Sequence, residues 1–161
     1  MAKTYARRAL ARARASTGFS VAELMVVLAI VGILAAASTP FFLRYYQSAA
    51  LKAATEELAS FINQGRQVAI KENQSVCVHA VSGSIHFHVN GCGGTTWTGA
   101  GTDSSGNLKI PAGFTLSGTG DVVFSYLGAA TPTGTYTVTN SQDGRTLRVT
   151  VAASGRVTIG P

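Results

Sequence analysis

Residues 18–37 read GFSVAELMVVLAIVGILAAA and contain a single charged side chain, Glu23. An α-helix rises about 1.5 Å per residue, so an apolar run of about 20 residues matches the hydrocarbon core of a bilayer. The segment therefore predicts a transmembrane helix, which we assign to residues 19–39.

The charge of the chain is concentrated on the N-terminal side of this segment. The 161 residues, enough for one modest domain, carry a formal net charge of +6. Five basic residues and no acidic residue precede Gly18, and these are Lys3, Arg7, Arg8, Arg12 and Arg14. The remaining eight basic and seven acidic residues sum to +1. A cationic flank before an apolar run keeps the N-terminus in the cytoplasm. The positive charge of the chain therefore serves mainly to orient it in the membrane. Residues 1–18 are interpreted as a processed leader.

The helix is predicted to continue past the apolar run, from about Phe19 to Glu72. Pro40 has no amide donor and should bend the helix where the apolar run ends. In residues 40–72, apolar and small residues recur at alternating three- and four-residue spacing, at Leu51, Ala54, Leu58, Phe61, Gly65 and Val68. The other face carries Lys52, Glu56, Glu57, Asn63, Arg66 and Gln67. This amphipathic continuation should pack against a globular domain.

Residues 73–161 are predicted to form a β-rich domain, because the hydrophobic period changes to alternation after Asn73. Two runs in which apolar residues alternate with other residues flank Ser82-Gly83 and predict a hairpin. Residues 91–106 are mostly Gly, Thr and Ser and predict a long surface loop. Further strands are predicted at residues 114–116, 122–126, 135–139, 146–151 and 156–159.

The last two predicted strands also specify their own register. A three-residue loop that ends in Gly155 places Val151 opposite Val157 and Val149 opposite Ile159. The other face then carries Arg148, Thr150, Arg156 and Thr158. Together these elements predict an α+β fold, in which a long N-terminal helix packs its second half on an antiparallel sheet or on two small sheets.

Cys77 and Cys92 lie beyond the predicted transmembrane segment, where a disulfide forms and persists. A simple hairpin that turns at Ser82-Gly83 places Cys77 opposite His88 rather than opposite Cys92. A bridge between the two cysteines therefore requires a bulge or a longer return of the chain.

The N-terminal segment resembles the signal of type IV pilins and of type II secretion pseudopilins. That pattern is a Gly, an N-terminal Phe, a Glu four residues further on and an apolar helix, and it matches Gly18, Phe19 and Glu23. The resemblance implies cleavage after Gly18 by a prepilin peptidase, which also methylates the new amine of Phe19. It further implies that Glu23 pairs with the N-terminal amine of a neighbouring subunit during assembly.

A physical argument also supports a partner for Glu23, because a carboxylate in a transmembrane helix costs roughly 2.5–3.5 kcal/mol on insertion scales. Two other interpretations of the segment stay open. A secretory signal peptide would be cut after Ala37, but Glu23 would then lie inside its apolar core. A plain single-pass anchor would place Glu23 near the membrane interface.

A second resemblance extends over the rest of the chain, to the GspH/FimT group of minor pilins and pseudopilins. It rests on Cys77, on Cys92 followed by Trp97-Thr98-Gly99, on VVFSYLGAA from Val122, and on DGRTLRVTVAASGRVTI from Asp143. The sequence departs from this group between Trp97 and Leu108, where an apolar strand is usual.

The residues suggest two further candidate sites. Zinc would suit the spacing of His79, His86 and His88 with the two cysteines, but the solvent face of a hairpin and a disulfide also explain these residues, and we assign no metal. Arg145, Arg148 and Arg156 are candidate DNA-binding residues, because some FimT-like proteins bind DNA through a terminal Gly-Arg-x-Arg motif. Here Thr158 replaces the second Arg of that motif.

The predicted function is structural, with no enzyme activity and no cofactor, because the acids beyond Glu72 lie in predicted turns without a recognisable nucleophile. We expect a minor pseudopilin or pilin at the tip or initiating complex of a type II secretion pseudopilus or type IV pilus. Its expected partners are other pilins or pseudopilins, the prepilin peptidase and the inner membrane, with the β-rich domain in the periplasm. The alternative is a FimT-like minor pilin that binds DNA during transformation.

Overall fold

A computed structural model of the chain describes residues 18–81 and 83–161. Within these residues one helix is followed by nine strands, with the bounds α1 Val21–Glu72, β1 Val76–Val81, β2 Ser84–Val89, β3 Thr95–Thr96, β4 Asn107–Lys109, β5 Phe114–Gly118, β6 Val122–Phe124, β7 Gly134–Asn140, β8 Thr146–Val151 and β9 Val157–Gly160. The chain divides into two compact units, with the boundary between Phe41 and Phe42. The predicted α+β organisation is confirmed.

In the first unit the helix is exposed along its whole length, and its large apolar side chains are between 46% and 74% exposed from Val21 to Phe41. The helix assignment continues through Pro40. Just before this proline, Ser38 Oγ donates to the carbonyl of Leu34 at 2.8 Å, and Thr39 Oγ1 donates to that of Ala35 at 3.0 Å. These hydrogen bonds to the helix backbone satisfy both hydroxyls without water. In apolar surroundings a hydroxyl without such a partner would be costly.

In the second unit the helix buries the predicted stripe, and all six of its members are buried, at Leu51, Ala54, Leu58, Phe61, Gly65 and Val68. The predicted polar face is exposed or half-buried. The helix ends at Glu72, and the next residue, Asn73, has a positive φ of 52°, the left-handed conformation common after a last helical turn. The amide of Gln74 then donates to the carbonyl of Ala69 at 3.1 Å.

Two antiparallel sheets complete the core. The first has the strand order β3-β2-β1-β6, with β4 also paired to β2, and the second has the order β5-β7-β8-β9. Their buried residues form one cluster with the helix, including Leu58, Phe87, Phe124 and Val149. Tyr136 on β7 is fully buried and donates its hydroxyl to the carbonyl of Val78 on β1 at 3.1 Å, which ties the two sheets together.

The registers of both predicted hairpins are confirmed. Cys77 pairs with His88 in the first, and Val151 with Val157 and Val149 with Ile159 in the last. Ile159 is nevertheless 42% exposed, because β9 is the edge strand of its sheet.

The prediction of one loop over residues 91–106 is wrong in part. Thr95 and Thr96 form β3 by pairing with Val89 and His88 on β2. Residues 107–109, for which no strand was predicted, pair with β2 as β4. Strands of two and three residues are too short to show alternation, and here the open edge of β2 provides the pairing partner. The predicted strand at residues 122–126 is also shorter, because the amide of Gly128 donates to the carbonyl of Ser125 and forms a turn.

Candidate functional site

The candidate processing site lies at the start of α1. Gly18, Phe19 and Ser20 precede the helix, and the side chain of Phe19 is 80% exposed. Ser20 Oγ accepts a hydrogen bond from the amide of Ala22 at 3.3 Å, and the carbonyl of Ser20 accepts the amide of Leu24 at 3.1 Å. Ser20 is therefore the N-cap of the helix. The bond between Gly18 and Phe19 stands two residues before the helix, in a segment without regular structure.

Glu23 lies in the first turn of α1 and is exposed. The unpaired amides at a helix N-terminus favour a carboxylate at this position. Within residues 18–81 and 83–161, Glu23 takes part in no ion pair. The first turn of the helix thus presents one acidic group, four residues from the exposed Phe19.

From Leu24 to Ala37 the helix is apolar on all sides. It is long and apolar enough to cross a membrane, and none of its most apolar 18 residues is buried. A helix with this composition requires either lipid or apolar protein neighbours around it.

The predicted bridge between Cys77 and Cys92 is present, with a Cα–Cα distance of 4.9 Å. Cys77 is fully buried on β1, and Cys92 follows β2. The longer return predicted for the chain is made by Asn90 and Gly91, which have φ angles of 71° and 85°. Their amides both donate to the carbonyl of Ser75, at 2.8 and 3.2 Å. The bridge therefore closes the open end of the β1–β2 hairpin.

The three histidines lie together on the face of the first sheet that points away from the helix. His79 on β1 pairs directly with His86 on β2, and His88 follows two residues later on the same face. His79 Nδ1 contacts a carboxylate oxygen of Asp121. His88 Nδ1 contacts the carbonyl of Gly94 at 3.3 Å. Burial lowers the pKa of His86, and its neighbours His88 and His79 lower this pKa further.

The contact of Asp121 with His79 was not predicted from the sequence. It arises because β6 pairs with β1, with Val122 opposite Val78, which brings the preceding Asp121 beside His79. A strand order cannot be read from local alternation, so no sequence signal identified this pair. Asp121 also lies near the disulfide, because its potential ligand atom is within 4.8 Å of those of Cys77 and Cys92. Both sulfur atoms are engaged in the disulfide and are therefore not thiolate ligands.

The three candidate DNA-binding arginines do not form one compact patch. Arg145 precedes β8 and forms an ion pair with Asp143 at 3.2 Å, and it also contacts Ser48 Oγ. Arg148 is exposed on β8. Arg156 lies at the other end of the hairpin, where its carbonyl accepts the amide of Ala152. The four residue steps from Arg148 to Ala152 span about 13 Å of extended chain.

The acidic residues beyond Glu72 all have structural partners. Asp121 contacts His79, and Asp143 pairs with Arg145. Asp103 Oδ1 accepts the amides of Ser105 and Asn107, each at 2.9 Å. The pKa of Asp103 is lowered chiefly by the amide of Asn107. Each carboxylate thus stabilises a turn or a neighbouring strand.

Comparison with known folds gives the same architecture in three minor pilins and pseudopilins. The type IV minor pilin FimU of Pseudomonas aeruginosa is 14% identical, with a TM-score of 0.53 over 73% of this chain and 92% of that one. The minor pseudopilin EpsH from the type 2 secretion system of Vibrio cholerae is 13% identical, with a TM-score of 0.53 over 68% and 94%. GspH of E. coli is 12% identical, with a TM-score of 0.57 over 70% and 88%. At these identities the likeness shows the fold alone.

Sequence comparison is more specific. No curated protein matches the chain. A prokaryotic N-terminal methylation motif matches residues 13–39, the segment that contains Gly18, Phe19 and Glu23. The family model of the type II transport protein GspH matches residues 54–155, from the buried helical stripe to the last turn. Since this match covers more than half of the chain and agrees with the fold, the protein belongs to the GspH family of minor pilins and pseudopilins.

Proposed function

We propose that this protein is a minor subunit of a type II secretion pseudopilus or type IV pilus, placed at the tip or in the initiating complex. The observation that carries the proposal is the first half of α1, an apolar helix exposed on all sides with Glu23 alone in its first turn. In this proposal, residues 1–18 are the leader, residues 19–39 cross the inner membrane, residues 40–72 continue the helix, and residues 73–161 form the periplasmic domain.

Processing precedes assembly in this proposal. A prepilin peptidase cleaves between Gly18 and Phe19 and methylates the amine of Phe19. The exposure of Phe19 and the lack of regular structure at Gly18 and Phe19 support access to this bond. The N-terminal methylation motif over residues 13–39 supports the same step. The chain supplies the substrate bond and no catalytic group.

Assembly then pairs two charged groups, each of which is energetically unfavourable in lipid without a partner. The amine of Phe19 on one subunit meets the Glu23 carboxylate of a neighbouring pilin or pseudopilin, so that docking pairs both charges. The apolar helix exchanges lipid for the helices of its neighbours at the same time. This function needs no cofactor and no enzymatic step by the chain itself.

The test uses the full chain, co-expressed with a prepilin peptidase and the other subunits of one filament system. Mass analysis of the mature N-terminus is expected to show loss of residues 1–18 and one added methyl group on Phe19. Glu23→Gln, which keeps the shape of the side chain, should still be cleaved but should be depleted from sheared filaments.

The matched control is Glu57→Gln, which replaces an exposed acid in the same helix beyond the apolar run. This variant should assemble at the native level. Normal assembly of Glu23→Gln would refute the docking role, and an N-terminus cut after Ala37 would refute the subunit assignment in favour of a secretory signal peptide.

A further inference from the structure

One edge of the second sheet has no partner strand in the described part of the chain. β9 is the last strand in the order β5-β7-β8-β9, and its only pairing there is with β8. A groove of about 710 Å³ lies beside this edge, between β9 and the polar face of α1. Val157 and Ile159 line one side of the groove, and Ala59, Ser60 and Asn63 lie on the other.

The phase of the last hairpin shows which backbone groups of β9 face outwards. The amide of Ala152 donates to the carbonyl of Arg156 at 2.9 Å. Hydrogen-bonded pairs alternate along an antiparallel ladder, so Thr158 exchanges its backbone bonds with β8. Val157 and Ile159 then direct their N–H and C=O groups away from β8. The outer edge therefore offers two donors and two acceptors in the row that a further strand requires.

The residues of β9 do not protect this edge against pairing. Edge strands of native proteins are commonly blocked by Lys, by Pro, by an inward-pointing charge or by a bulge. Residues 157–160 read VTIG, without charge or proline, and they pair with β8 in a continuous register. Arg156 precedes them and Pro161 follows them, so the open edge is confined to these four residues. Such an edge is a template for a strand from another chain.

The side chains beside the groove define the kind of strand that fits it. Val157 and Ile159 pair with the buried Val151 and Val149, yet Ile159 remains 42% exposed. Ala59 forms a buried, apolar part of the adjoining helix. A further strand lies about 4.8 Å from its neighbour, so a strand beside β9 would cover Ile159 with its own apolar side chains. The groove thus suits an extended segment in which apolar residues alternate.

Opposite charges mark the two ends of the groove. The hairpin meets the helix at Arg66, where a Cβ at Gly155 would stand 3.0 Å from the Arg66 Nε. Arg156 is exposed at this end. Glu56 lines the groove ten residues earlier in the helix, or about 15 Å away. The ion pair of Glu56 with Lys52, at 3.7 Å, is exposed and therefore weak. A segment with an acidic residue near Arg156 and a basic residue near Glu56 complements these charges.

We propose that this groove receives an extended segment of a neighbouring pilin or pseudopilin subunit, which joins the second sheet as a strand beside β9. The inference rests on the proposed function, because it takes its partner from the same filament. The groove runs along α1, the helix through which the proposed assembly contacts its neighbours. Main-chain hydrogen bonds to Val157 and Ile159 provide the affinity, and the apolar contact and the two end charges select the segment.

Amide hydrogen exchange at single-residue resolution tests the pairing in the full chain. The chain is measured alone in detergent and then in complex with the other subunits of one filament system. Alone, the amides of Val157 and Ile159 should exchange faster than that of Thr158, which β8 protects. In the complex, exchange at Val157 and Ile159 should slow at least about 10-fold. Thr158 is the internal control, because its bond to β8 is present in both states.

A matched pair of variants separates the backbone contact from the side-chain contact. Ile159→Pro removes the outward N–H, whereas Ile159→Ala keeps it. Proline is accepted on an edge strand where the N–H faces outwards, so both variants should unfold at similar denaturant concentrations. Leader cleavage should be native in both. Ile159→Pro should be depleted from sheared filaments about 2- to 10-fold more than Ile159→Ala, as expected for the loss of one hydrogen bond.

Four results would overturn the inference. Unchanged exchange at Val157 and Ile159 in complexes that contain the native chain would do so and leave the proposed function intact, and so would equal incorporation of the two folded variants. Protection that rises with the concentration of the chain alone would assign the edge to a second copy of this chain. Absence of the native chain from the filaments would overturn the inference together with the proposed function. If Ile159→Pro does not fold, the exchange rates of the native chain decide the matter.

Discussion

Gly65 on the helix lies directly against the ring of Phe87 on β2, so that a Cβ at position 65 would stand 2.9 Å from Cε1 of the ring. The ring cannot easily move away, because it also stacks on Phe61 at a centroid distance of 4.2 Å. Trp97 borders it at 5.7 Å. The close approach of the helix to the first sheet therefore depends on the missing side chain of Gly65.

Gly65→Ala is expected to destabilise the domain, because overpacking a rigid core typically costs about 1–3 kcal/mol. Alanine is the better helix former by about 1 kcal/mol, which offsets part of this cost. In a Phe87→Leu background the ring is absent, so the same substitution should become neutral or stabilising. Urea unfolding of the four proteins measures both effects, and a Gly65→Ala penalty of equal size in the two backgrounds would contradict the contact.

Replacing both Cys77 and Cys92 by serine should lower the free energy of unfolding by about 3 kcal/mol, as expected for a loop of about 15 residues. The loss arises mainly because the unfolded chain regains the freedom that the bridge removes. Denaturant unfolding with and without reductant provides the measurement. Reductant should weaken the native protein and leave the double variant unchanged, so an equal response of both proteins would speak against the bridge.

Alkaline pH should destabilise the domain through Tyr136. Burial raises the pKa of the Tyr136 hydroxyl above 10.0, and the nearby Asp121 raises this pKa further. Above pH 10 the unfolded chain loses this proton while the folded chain retains it, so stability falls with pH by up to about 1.4 kcal/mol per pH unit.

Tyr136→Phe should remove this component of the pH dependence, although it also loses the hydrogen bond to Val78, worth about 1 kcal/mol at neutral pH. Unfolding between pH 8 and pH 11 tests the difference. Tyr126→Phe is the control, because Tyr126 is 53% exposed and should leave the slope unchanged. If Tyr136→Phe has the native slope, the titration does not involve this group.

DNA binding by this chain is expected to be weak and non-specific. Arg145 is paired with Asp143, and Arg156 stands at the far end of the hairpin from it. Few phosphates can then be neutralised together, and affinity should fall steeply with salt. Mobility shifts at two salt concentrations, with the native chain and an Arg148→Ala/Arg156→Ala variant, measure this. Tight binding that the double variant loses would instead support the DNA-uptake alternative.

The helix and the last hairpin could be predicted because their signals are local. The apolar stripe from Leu51 to Val68 repeats over five helical turns, because its residues form the buried face of the helix. The three-residue loop that ends in Gly155 fixes the register of β8 and β9, since Gly155 adopts a φ of 75°. A Cβ at this position would also overlap the carbonyl of Gly128. Gly155 in the terminal Ser-Gly-Arg-Val element is thus required by turn geometry and packing.

The short strands and the surroundings of the histidines depend on contacts between distant parts of the chain. Thr95 and Thr96 become a strand only because β2 offers an open edge. Asp121 reaches His79 only because β6 returns to β1 some forty residues later. Neither pairing has a pattern in the local sequence. The position of each histidine on its strand was therefore predictable, whereas the residue that it contacts was not.

Every buried apolar residue among residues 18–81 and 83–161 lies between Leu51 and Val151. The first six or so turns of α1 therefore contribute nothing to the core, and their surroundings can change without any change in it. In the proposed assembly, entry into a filament is then a partitioning of one finished helix between two apolar phases, lipid and protein.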